Sequence, residues 1–243
     1  MLPIYDALLF HLVVGSRRVA RTYESATILI RALFAIGLPA PRYRTLLEDC
    51  LALAGVGIGT RSIYWLLDIL DETVINSAPD PDQRQAFWSA VHARLVPLRS
   101  HLTGGQGAAL RRLAGMLGWA EPYLAEILPQ QADQEALLRD ALADRHVAIY
   151  SLTETAARQA KEVLEEIAPG VRVSLSHDTV GNNALRAMAQ NADFFVIVTA
   201  SAKHAATGFI QEWRPPGKPI LFAAGRGFTS IIRAVEDFVL PCA

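Results

Sequence analysis

The chain has 243 residues, of which 51% are hydrophobic and 19% charged, and its formal net charge is −1. That length suits two modest domains or one large one. The apolar content excludes a disordered chain, and the absence of a basic excess removes the bulk electrostatic mark of a nucleic-acid binder.

Met1 to Val14 is apolar, with a helix beginning almost at Met1. No basic residue precedes the run, and Asp6 and His11 interrupt it, so it does not read as a signal peptide. The start without a leader is expected for the C-terminal piece of a longer protein. Ser16 to Ile36 carries Val19, Tyr23, Ala26, Ile30 and Leu33 at helical spacing and stops at Gly37 before Pro39. Ala26 to Leu38 is broken by Arg31 and is well short of the ~20 residues that cross a bilayer. The expectation is a cytoplasmic protein that does not engage a membrane. Two cysteines, Cys50 and Cys242, form no disulfide framework and no zinc site, and suit a reducing compartment.

Arg42 to Ala54 reads as the next helix, ended by Gly55-Val-Gly57-Ile-Gly59, with Thr60 as a cap for its successor. Ile63, Leu66, Leu67, Leu70 and Val74 then share one face. Ala78 to Pro81 reads as a linker, and Phe87, Trp88, Val91 and Leu95 form another stripe that ends near Pro97. Thr103 starts a helix closed by Gly118. Short helices around Tyr123 to Ile127 and Gln134 to Ala143 complete an α-helical domain, 1–143, of seven or eight helices. Trp65, Trp88 and Trp119 fall on apolar faces and read as core or interface before they read as stacking platforms.

From residue 144 the period changes. His146 to Tyr150, Val171 to Leu175, Phe194 to Thr199 and Pro219 to Phe222 are short apolar runs separated by helical stretches. This alternation predicts an α/β fold with a four-stranded parallel, Rossmann-like or flavodoxin-like sheet over 144–243. Ligands of such sheets bind outside the carboxyl ends of the strands.

Those ends carry polar loops. Ser151 and Thr153 follow the first strand, and His177-Asp178 follows the second, where a turn and helix cap is the favoured reading. Ser201, Lys203 and His204 follow the third. Lys203 offers a point charge for phosphate, and His204 can donate to one or move a proton near neutral pH. The plainer reading is an ordinary helix start with solvated side chains. Gly225-Arg226-Gly227-Phe228-Thr229-Ser230 follows the fourth strand and opens a helix expected over Ile231 to Val239. Glycines admit a ligand to the backbone and the helix start favours an anion; the plainer reading is a strand-to-helix turn capped by Thr229 or Ser230. The loop lacks the Gly-Lys-Ser/Thr of a phosphate-binding nucleotidase loop. No serine has a nucleophile elbow and no His or Cys pair has zinc spacing, so no metal is expected. These residues together predict a site for a phosphorylated small molecule, with a nucleotide as the expected cofactor or ligand.

Two resemblances add to this reading. Tyr150 to Trp213, with Asn191-Ala-Asp-Phe-Phe-Val-Ile-Val198 before a polar loop, is similar to Toll/interleukin-1 receptor (TIR) domains. That likeness implies NAD cleavage, with Glu212 as the catalytic acid. The spacing of Glu212 departs from that family's pattern, and the acidic and prolyl loop after the second strand is missing. The second rests on Asn191-Ala-Asp-Phe-Phe-Val196, Ser201-Ala-Lys-His-Ala-Ala-Thr207 and Gly225-Arg-Gly-Phe-Thr-Ser-Ile-Ile-Arg-Ala234, preceded by Phe87-Trp88 and Leu117-Gly118-Trp119. It resembles the C-terminal helical and Rossmann-like region of large bacterial anti-phage defence proteins, of the accessory type encoded beside 7-deazaguanine DNA-modification genes. It implies a defence context, partners among defence-system proteins met through the helical domain, and no transferable catalytic residue. The expected function is ligand binding or sensing, with an NAD-cleaving TIR-like enzyme and a ligand-free interaction module as the alternatives.

Overall fold

The computed structural model describes residues 2–15, 19–55, 62–128 and 132–240. The expected helix start at Ser16, the Gly57-Ile-Gly59 breaker, the Thr60 cap and Cys242 lie outside the described residues. By contact the chain divides into two compact units, residues 1–102 with 113–128, and residues 103–112 with 129–243.

The first unit is helical. It holds α1 (Leu2–Gly15), α2 (Ala20–Ile36), α3 (Ala40–Ala54), α4 (Ile63–Ile75), α5 (Pro81–Leu95), the last residues of α6 (Gly104–Leu117) and α7 (Glu121–Ala125). Sequence punctuation accounts for most ends. Gly37 closes α2 with a φ of 78°, a left-handed conformation that suits glycine. Asp80 caps α5 by accepting from the Gln83 amide at 3.0 Å, with Pro81 in the first turn, so the expected linker is a tight helix start. Gly118 ends α6, and Trp119 N–H returns to the Ala114 carbonyl at 2.9 Å.

Helix α4 is buried on almost every side. Its Thr73 hydroxyl accepts from the Trp88 indole at 2.8 Å, and Trp65 donates to Thr27 at 3.0 Å. Both indoles are therefore core groups with satisfied N–H donors. Buried Glu72 is held by Arg31 at 2.7 Å.

The second unit contains the amino-terminal part of α6, then α8 (Ala132–Leu142), β1 (His146–Tyr150), α9 (Glu154–Ile167), β2 (Arg172–Ser176), α10 (Asn183–Asn191), β3 (Phe194–Val198), α11 (His204–Trp213), β4 (Ile220–Ala223) and α12 (Phe228–Val239). The sheet is parallel in the order β2-β1-β3-β4. All five residues of β1 and of β3 are buried, as continuous apolar runs in a two-sided parallel sheet should be. Ala148, Tyr150, Phe195 and Ile197 form one core with Leu185 and Ala189 of α10 and Ala206 and Ile210 of α11. Val147, Ile149, Val196 and Val198 alternate with them and face the opposite side, where α9 and α12 pack together.

Thus the α/β class, the helices before the sheet and the four parallel strands agree with the sequence. Among the described residues no strand precedes β1. Ends of β2, β3 and β4 shift by one residue from their expected places, and at the glycine loop the correction is larger: α12 begins at Phe228, three residues before the expected Ile231. Phe228 is fully buried, which draws the glycine loop into helix at once.

Candidate functional site

The order β2-β1-β3-β4 puts the topological switch point between β1 and β3, the place where open sheets of this kind bind ligands outside the carboxyl ends of their strands. Ser151 and Thr153 leave β1 there, and Ser201 leaves β3 after a 3-10 turn over Thr199–Ser201. The three hydroxyls meet. Ser151 Oγ lies 3.0 Å from Ser201 Oγ, which accepts from Thr153 N–H at 3.0 Å and from Thr153 Oγ1 at 2.9 Å. Leu152 N–H adds a bond to the Ser201 carbonyl at 2.8 Å. The cluster therefore clamps two loops together, and its hydroxyls are engaged with one another.

On one flank, His177 Nδ1 bonds the Ser151 carbonyl at 2.9 Å, and Ser176 Oγ donates to Asp178 at 2.9 Å. These residues form the expected turn, but the cap of α10 is Asn182, whose side chain accepts from Leu185 N–H at 2.8 Å. On the other flank Thr199 Oγ1 donates to the Ala223 carbonyl at 3.1 Å, tying the turn after β3 to the end of β4.

Lys203 is the N-cap residue of α11 and is exposed, as is His204. The Lys203 amide donates to the Tyr150 hydroxyl at 3.3 Å. Gly227 is the N-cap residue of α12, with half-buried Arg226 before it. Thr229 and Ser230 do not cap. Both are buried in the first turn, where Ser230 Oγ accepts from the Gly225 amide at 2.6 Å and folds the glycine loop back on the helix.

The helix starts differ in one respect. Helix α10, which follows the outer strand β2, is capped by a side chain. Helices α9, α11 and α12 follow β1, β3 and β4 and begin with no side-chain cap bond. Thr153, which could cap α9, turns its hydroxyl to Ser201. The starts of α9 and α11, which follow the two strands flanking the switch point, therefore bring positive partial charge there, and α12 starts without a side-chain cap after the outer strand β4.

Glu212 lies elsewhere. It is exposed in the last turn of α11, eight residues or about 12 Å beyond the crevice end of that helix. Its neighbour Arg214 is at the amino edge, bonded to the carbonyls of Asp193 and Pro219. An acid there cannot share a crevice with Ser151 and Ser201, so the TIR-type role expected for Glu212 has no geometric basis.

The amino edge holds what the sequence reading missed. Buried Arg214 donates to Ala189 and Ala192 at 2.7 and 3.0 Å, and to Asp193 and Pro219 at 3.0 and 2.9 Å. Burial pulls its pKa below the usual guanidinium value, and Asp193 opposes that shift. Lys218 adds bonds to the Gln190 and Asn191 carbonyls at 2.9 and 3.0 Å. Both cations thus satisfy the carboxyl end of α10. A basic residue in a loop gives no sign of such backbone targets.

Among the described residues no group of three His, Cys, Asp or Glu side chains could hold a metal, and no helix is long and apolar enough to cross a membrane. A family model described as DpdD-like matches residues 1–234. No curated protein and no solved structure matches the chain.

Proposed function

We propose that this chain, which belongs to the DpdD-like family of 7-deazaguanine DNA-modification islands, binds a phosphorylated small molecule at the carboxyl edge of its sheet and serves a bacterial defence system as a sensing or regulatory component. The observation that carries the reading is the pair of helix starts without side-chain caps, α9 and α11, that follow the two strands flanking the switch point. Backbone amides at a helix start carry positive partial charge and favour phosphate. Lys203 and Arg226 add cations on the same edge, and the Ser151–Thr153–Ser201 clamp holds the loop that bears Lys203.

A nucleotide is the ligand this arrangement suits best, because helix starts after neighbouring strands can hold successive phosphates. The helical residues 1–143 then act as the scaffold or the surface that meets other proteins of the system. A thermal-shift screen with nucleotides, NAD, cyclic oligonucleotides and tripolyphosphate tests the reading. The expected result is a concentration-dependent rise in Tm with a phosphorylated compound. No shift with any of them at millimolar concentration would remove the ligand site and leave an interaction module.

A further inference from the structure

The helical unit holds a cavity of about 160 Å³. Phe34 and Tyr43 line it from α2 and α3, Gly37 and Leu38 from the turn between those helices, and Ser77 to Pro79 from the segment before α5. Ser77 and Pro79 are exposed, so the cavity is open on their side, whereas Phe34 and Tyr43 are buried. The two rings meet edge to face with centroids 6.1 Å apart. Tyr43 is only 1% exposed, and its hydroxyl has no hydrogen-bond partner among the described residues. Burial pushes its pKa up to about 12, with Arg84 opposing, so at neutral pH it is an uncharged phenol with a proton to donate. Native structures seldom leave such a donor without an acceptor, because its desolvation is then uncompensated.

We infer that this cavity is a binding site for a small neutral ring that carries a carbonyl acceptor, the chemistry shared by nucleobases and cyclic amides, with the Tyr43 hydroxyl as the donor that orients it. Size selects a single ring, since a cavity of about 150 Å³ holds one benzene. The aromatic walls suit a planar apolar body, and the unpaired donor calls for an acceptor on that body. Charge selects a neutral compound. The cavity lining contains no acid or base other than this phenol. The charged groups that act on Tyr43 are engaged: Asp80 accepts from Arg44 at 3.2 Å and from the Gln83 amide at 3.0 Å, and Arg84 lies over the Trp88 ring, 4.8 Å from its centroid. A phosphate or carboxylate would enter without a counter-charge, which is costly in a buried place. All the residues of this site lie between α2 and α5, so it is independent of the phosphate site at the sheet.

The test is titration of the full chain with dimethyluracil and with N-methylpyridone, followed by amide NMR. Fragments of one ring bind in the millimolar range, so saturable shifts of the Gly37, Leu38, Ser77 and Ala78 amides are expected below about 20 mM. Tyr43→Phe removes the hydroxyl and keeps the ring, and it should weaken both compounds about tenfold. Its Tm should equal or exceed that of the parent, because the hydroxyl it removes bonds to nothing in the fold. Ala78→Leu fills the cavity and should abolish the shifts, a check that leaves the tyrosine in place. No saturable shift in the parent overturns the inference and leaves the cavity to water. Unchanged affinity in Tyr43→Phe, or a Tm several degrees lower, overturns it too, because the hydroxyl would then serve the fold and not a ligand. Shifts that survive Ala78→Leu place the compound elsewhere and overturn it as well.

Discussion

Glu236 on α12 accepts hydrogen bonds from the Gly105 amide at 2.7 Å and from the Thr103 hydroxyl at 2.6 Å, so one buried carboxylate closes the amino terminus of α6 from more than a hundred residues away. Thr103 and Gln106 already form a reciprocal capping box there, with bonds of 3.2 and 3.1 Å. Glu236 satisfies a further orphan amide and places negative charge at a helix start. Glu236→Gln keeps the shape but removes the charge and turns a donor towards one of two donors. The expected loss is about 1–3 kcal/mol, read as a fall in Tm of several degrees by calorimetry. An unchanged Tm would show that water replaces the contact at no cost.

Arg214 should tolerate no conservative exchange. Its planar fork reaches four carbonyls, two at the end of α10 and two at the amino edge of β3 and β4. Lysine has one compact ammonium and cannot span that set. Arg214→Lys should cost about 3 kcal/mol or more, since buried carbonyls lose charged donors. Urea unfolding followed by circular dichroism measures this as a lower midpoint with an unchanged slope.

Acid should weaken the sheet unit through His146. This buried residue donates its amide to Asp193 at 2.7 Å and sets Nε2 2.9 Å from Ser174 Oγ, while Nδ1 has no hydrogen-bond partner. Burial is the main cause of its lowered pKa, with Arg172, Lys218 and Arg214 acting in the same sense and Asp193 against. The unfolded chain therefore binds a proton more readily than the folded one, so stability rises with pH across this window. It is fully present above the unfolded value of about 6.5 and is lost as the pH falls from there towards the lower folded value. Denaturation midpoints between pH 7.5 and 5 should decline, and His146→Gln should flatten that slope. A slope unaffected by the substitution would assign the acid sensitivity to other groups.

These contacts also mark how far the sequence was legible. The strands were readable because β1 and β3 are unbroken apolar runs, and β1 fell on its predicted residues, His146 to Tyr150. Polar loops at one edge of a parallel sheet were the expectation, and Ser151 and Ser201 meet there because β1 and β3 are neighbours in the sheet. That these hydroxyls bond to one another was not readable, because spacing reports position and not partner. Arg214 and Glu236 were invisible for the same reason: their partners, backbone groups and for Glu236 also the Thr103 hydroxyl, are brought close only by folding. The start of α12 was missed because two glycines argue for loop, whereas burial of Phe228 overrides that local preference.

Lys203 and Gly227 should separate a ligand site from a structural rim. The Lys203 side chain is exposed at the start of α11, so Lys203→Ala should leave the Tm almost unchanged. A charge-assisted contact to phosphate contributes about 1.5–3 kcal/mol, and each 1.4 kcal/mol is about tenfold in affinity. Lys203→Ala should therefore weaken the phosphorylated compound found by screening at least tenfold in titration calorimetry. Gly227 is buried, with a φ of −84° and a ψ of 166°, an extended conformation that valine also adopts, so Gly227→Val reports on the ligand site when its Tm matches that of the parent. The expected loss is again tenfold or more. Glu212→Ala is the control: its carboxylate lies at the far end of α11, and binding should not change. Equal weakening by all three would point to general loss of structure, whereas unchanged affinity in Lys203→Ala and Gly227→Val would move the ligand away from this edge.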